Sequence, residues 1–138
     1  RLPEKERSNA QRYNLGNYFF HTGQYHAAIR IFQQVEFSDL YYQLDVRAIL
    51  LKVYFELGEE ELFDYHASAF RTFLSRNRKV SDYQRLIYRN FISFASRTLR
   101  KQDDPIALKG LLQEISQNRR VADIRWLEDK IGRLTGLE

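Results

Sequence analysis

Cysteine and methionine are absent from this 138-residue chain, and proline occurs only at positions 3 and 105. Without cysteine there can be no disulfide framework, thiolate zinc site or cysteine nucleophile. The cytoplasm is the compartment expected for such a chain. Residue 1 is Arg, so the chain reads as an excised segment or processed product, with Leu137-Glu138 as a vector remnant. No apolar run approaches the roughly 20 residues that span a bilayer, so no membrane insertion is expected. Glycine is scarce as well, at six residues. Because each glycine inside a helix costs roughly 1 kcal/mol against alanine, each needs a packing or turning role.

Aromatic side chains are plentiful, with nine Tyr and ten Phe in a composition that is 43% hydrophobic. That length and content suit one core and predict a single domain over residues 1–138. The formal charge of +4 conceals an asymmetry. From Glu36 to Asp64 there are eight acids and two bases, a net −6. From Arg71 to Lys101 there are nine bases and one acid, a net +8.

Apolar residues recur at three and four throughout, the period of amphipathic helices. The pattern predicts helices over Asn9–Thr22 and Tyr25–Val35 around a turn at Gly23-Gln24, with Tyr13, Leu15, Tyr18 and Phe19 on one face of the first. A second pair covers Leu44–Leu57 and Glu59–Ser75, broken at Gly58, with Glu59, Glu60 and Glu61 at the positive end of the helix dipole. A third covers Ser81–Gln102 and Ile106–Gln117, where Asp104-Pro105 reads as an N-cap followed by proline at the first helical position. A seventh helix, Val121–Leu134, carries Trp126 as its expected anchor.

Gly23 and Gly58 lie 35 positions apart, a period that signals stacked repeats. Leu15 and Leu50 precede them by eight residues, Phe19 and Tyr54 by four. Downstream, Ala28 and Phe32 become Phe63 and Ala67, a swap of small and large that roughly conserves packed volume.

Leu15-Gly16, Phe19, Gly23, Tyr25, Ala28 and Phe32 reproduce the spacing of the tetratricopeptide repeat, which this chain therefore resembles. Arg12 stands in place of the family's Trp and Leu40 in place of its Pro. The chain also looks like repeat regions of uncharacterised bacterial proteins. The resemblance implies an all-α, right-handed α-solenoid of three units, about 9–42, 44–77 and 81–117, closed by a capping helix at about 121–134. It further implies that Gly16 and Ala28 meet where the paired helices cross, and that first helices line a concave groove.

By that resemblance the groove residues are Tyr13, Asn14, Asn17, His21, Lys52, Phe55, Arg85 and Arg89. Asn17, Arg85 and Arg89 match carboxylate-clamping positions of peptide-binding members, whereas Tyr13 and Ile49 depart from them. The expected role is a non-catalytic scaffold binding an acidic peptide or protein segment through charge-assisted Arg contacts. One alternative is a nucleic-acid-binding helical repeat using the basic face of residues 85–101, on which Arg85, Arg89, Arg97, Arg100 and Lys101 share a sector opposite Ile87, Phe91 and Leu99. Another is a regulatory repeat domain of a larger protein. The polar N-terminal segment leaves the first helix uncapped, so further repeats or a second copy, as a homodimer, could stack there.

No enzyme, cofactor or metal site is expected. His21, His26 and His66 lack a shared ligand face. The carboxylate groups at 59–61 and 103–104 sit at helix starts that already explain them.

Overall fold

A computed structural model describes residues 4–136. The Leu137-Glu138 pair lies outside the described residues. Among those residues the chain is all-helical, with α1 (Glu4–His21), α2 (Tyr25–Gln33), α3 (Leu40–Leu57), α4 (Glu60–Arg76), α5 (Asp82–Arg100), α6 (Pro105–Gln117) and α7 (Ile124–Thr135). None of these helices is long and apolar enough to cross a membrane. The described residues form two compact units, 4–66 and 67–136, and α4 carries the boundary.

In the first unit α1 and α2 form a hairpin and α3 packs on both. The core is Ala28, Phe32, Phe37, Val46, Ile49 and Val53, with Tyr13, Phe19 and Phe20 pressed against it. Burying one such Phe or Ile contributes roughly 1.5–3 kcal/mol. In the second unit α7 packs on both α5 and α6, the same three-helix scheme. Phe91, Ile92, Leu108, Ile115, Leu127 and Ile131 are fully enclosed there. Trp126 is only partly buried and rests on Phe91, ring centroids 6.1 Å apart.

The two turn glycines behave alike. Gly23 and Gly58 have φ of +76° and +68°, a left-handed conformation that costs glycine nothing. At the first, the Gly23 N–H donates to Phe20 O and the Gln24 N–H to Phe19 O; at the second, Gly58 donates to Phe55 O and Glu59 to Tyr54 O. Both are Schellman closures, which satisfy orphan carbonyls at a helix end. The 35-residue spacing is thus repeated in hydrogen bonding as well as in residue type. Ala28, Phe32, Phe63 and Ala67 are all buried.

Two expectations need correction. Leu15 and Tyr18 do not share an inward face with Tyr13 and Phe19: they are 42% and 58% exposed. At 100° per residue they fall on the sector turned away from α2. Gly16 is closely approached by the Phe32 ring. Both α1 and α3 start earlier than periodicity suggests, at Glu4 and Leu40. For α3 the missed signal is Asp39, whose Oδ1 accepts from the N–H groups of Tyr41 and Tyr42. By contrast Asp104 caps α6 through the Ala107 N–H, with Pro105 beginning the helix.

Candidate functional site

Six of the eight expected groove residues lie in the first unit, and most are engaged by their own chain. The Tyr13 hydroxyl donates to the Asp45 carboxylate, and its ring lies 4.5 Å from Tyr42 and 6.2 Å from Phe37. Burial, then the hydrogen bond to Asp45, pushes the Tyr13 hydroxyl well above the usual tyrosine range. Asn17 Nδ2 donates to Tyr13 O at 3.2 Å within α1. Phe55 and Lys52 are both buried, Lys52 with Nζ 5.9 Å from the Phe20 ring centroid. Asn14 and His21 are exposed, and with Tyr18 they occupy one face at helical spacing.

Arg85 and Arg89 lie in the second unit. Arg85 Nε donates to Leu74 O at 2.8 Å, and Nη2 reaches Val80 O at 3.3 Å and Asn77 O at 3.5 Å. Its Nη1 pairs with Asp82 at 3.1 Å. The guanidinium therefore closes the carbonyl end of α4, where the helix dipole favours a cation. Arg89 Nη2 donates to Ser75 Oγ at 2.8 Å. Further along the same face, Arg97 forms a bidentate pair with Glu114 at 3.2 and 2.6 Å. Arg100 turns back on Ser96, and Asn90 Nδ2 donates to Arg120 O.

Replacing Arg85 by Met should lower unfolding free energy by about 1–2 kcal/mol, because charged hydrogen bonds are lost while the carbonyls gain only water. Arg85→Lys should recover less than half, since an ammonium cannot reproduce the planar fork. Urea denaturation of the three proteins measures both.

The open cations lie just before this face. Arg71, Arg76, Arg78 and Lys79 are exposed, and among the described residues none has a carboxylate partner. Three of them, with Thr72, Phe73 and Asn77, line an open depression of about 490 Å³. The connecting loop is built to present them. Asn77 Oδ1 accepts the Lys79 N–H at 2.9 Å, Asn77 O accepts the Val80 N–H at 3.2 Å, and Val80 is buried. With Val80 drawn inward, Arg78 and Lys79 project outward. Sequence reasoning missed these residues individually because the helical wheel began at Arg85. The run Arg76-Asn77-Arg78-Lys79 was the available signal.

His66 stacks on Tyr54, ring centroids 4.6 Å apart and 17° between planes, and burial lowers its pKa from the ordinary value. A histidine depressed on folding binds fewer protons folded than unfolded below about pH 6.5, so its contribution to stability is lost as pH falls through that window. Between pH 7 and pH 5 the wild type should lose more stability than His66→Phe, and urea midpoints at the two pH values test this.

Among the described residues no group of three His, Asp or Glu side chains could hold a metal ion. No protein-family model, curated protein or solved structure matches this chain.

Proposed function

We propose that this chain is a non-catalytic interaction module built as a right-handed solenoid of tetratricopeptide-like hairpins, and that it captures an acidic segment of a partner protein. The observation that carries the reading is the basic corner between α4 and α5, where Arg76, Arg78 and Lys79 line an open depression that no carboxylate lines among the described residues, with Arg71 exposed one turn before it. Arginine clusters bind carboxylates through short, charge-assisted and often bidentate hydrogen bonds. The two matching Schellman turns 35 residues apart support the repeat architecture.

A nucleic-acid reading competes, because the same cations suit phosphates. It is the weaker of the two on the geometry of α5. A polynucleotide needs a cationic track along several phosphates, and here Arg85, Arg89, Arg97 and Arg100 are turned onto their own chain. What remains is a compact corner suited to two or three carboxylates.

Fluorescence polarisation with a labelled Asp/Glu-rich peptide and a single-stranded RNA of equal charge, each at two salt concentrations, separates the readings. The peptide is expected to bind more tightly. Tighter RNA binding with a salt slope of several counterions would overturn the proposal.

A further inference from the structure

The first unit contains a cleft of the opposite character. About 300 Å³ in volume, it is lined by Glu6, Asn9 and Ala10 of α1 and by Phe37, Ser38, Asp39 and Tyr42 around the start of α3. Its walls include two aromatic rings with centroids 5.6 Å apart, Phe37 and Tyr42. No cation lines it. The volume is at the low end for a small-molecule pocket and suits a single side chain better.

Glu6, Asn9 and Asp39 bring oxygen acceptors to this cleft. Asn9 is nine-tenths buried; its Nδ2 donates to Glu36 O at 3.3 Å, and its carbonyl oxygen has no donor among the described residues. Asp39 spends Oδ1 on the N–H groups of Tyr41 and Tyr42, at 2.8 and 3.4 Å, and Oδ2 has no partner there. The Glu6 carboxylate forms no ion pair among the described residues. The helix-end positions of Glu6 and Asp39 account for their being acidic. They do not account for an aromatic-walled void lined by an asparagine that is itself nine-tenths buried and whose amide oxygen has no donor among the described residues.

We infer that this cleft binds a primary alkylammonium, the side chain of a lysine presented by a partner segment. An ammonium offers three N–H donors and no acceptor, matching the amide oxygen and two carboxylates. Its four-carbon stem lies along the rings, which also attract the positive charge. The site is independent of the basic corner, so it stands or falls separately from the acidic-segment reading.

The test is a ¹H–¹⁵N NMR titration with N-acetyl-lysine methylamide, its trimethylammonium analogue and N-acetyl-norleucine methylamide as the uncharged isostere. The lysine probe, at millimolar concentration, should shift amide signals of residues 6–10 and 37–42. Norleucine should leave them in place, and trimethylation should weaken binding because it removes every donor. The double variant Glu6→Gln, Asp39→Asn should weaken lysine binding at least about tenfold. Asparagine caps a helix as well as aspartate does, so a matching urea midpoint verifies that the fold persists. Absence of shifts at these residues, unchanged binding by the double variant, or equal binding of the trimethylated probe would each overturn the inference.

Discussion

Reversing charge at the basic corner, with Arg76→Glu, Arg78→Glu and Lys79→Glu combined, should abolish capture of an acidic peptide while leaving the fold intact. An exposed ion pair is worth about 0.2–1 kcal/mol, and reversal replaces attraction with repulsion. Three such changes amount to about 2–4 kcal/mol, roughly a 30- to 700-fold rise in Kd at low salt. All three side chains are exposed, and surface substitutions outside special features usually change stability by no more than about 0.5 kcal/mol. Arg89→Glu serves as the contrast. Its guanidinium is already bonded to Ser75, so Kd should change by less than about threefold. If Arg89→Glu were as damaging as the triple reversal, capture would run along the α5 face as the family resemblance implies, and the corner would not be the site. Raising the salt concentration should weaken wild-type binding as the Debye length shortens.

Gly16→Leu should be the most damaging single substitution in the first hairpin, lowering unfolding free energy by about 3 kcal/mol or more. A Cβ at Gly16 would lie 2.3 Å from Phe32 Cζ, with two further ring atoms inside 3 Å. Phe32 is 4% exposed, so its ring has no outward space to take up. Gly16→Ala meets the same contact with one carbon and gains roughly 1 kcal/mol of helix propensity, which offsets much of an overpacking cost of about 1–3 kcal/mol. Its net loss should be only about 1 kcal/mol. Phe32→Ala is destabilising alone, by about 3–5 kcal/mol, yet in that background Gly16→Leu should become neutral or stabilising as the leucine fills the vacated volume. Urea midpoints of the four proteins complete the cycle. Additive losses would show that the ring of Phe32 is not what excludes a side chain at Gly16.

Helix identity was legible because it depends on local terms. Period, turn glycines and the Asp104-Pro105 cap each act within a few residues, and they placed the starts or ends of α2, α3, α4 and α6 within a residue or two. The start of α1 was hidden, because residues 4–8 are charged or polar and carry no apolar period. The early start of α3 was hidden by reading Leu40 against a family position and overlooking the cap at Asp39.

The candidate site was legible only as a region. A block of nine bases against one acid announced an anion-binding surface, but a charge count cannot tell Arg85, folded onto the carbonyls at 74, 77 and 80, from Arg78, which projects outward. Hydrogen bonding to carbonyls and to Ser75 consumes Arg85 and Arg89 of α5, and the tight turn at Asn77 turns Arg78 and Lys79 outward.

By itself, then, the sequence determined seven helices and the two left-handed turns, because backbone propensity, capping and hydrophobic period are carried by neighbouring residues. Tertiary structure alone decided which charges are spent and which are offered. It also decided that Glu6, Asn9, Phe37, Asp39 and Tyr42 meet around one cleft. Partners some 30 residues apart are chosen by packing, and packing determines whether a polar group ends against a protein atom or against open space.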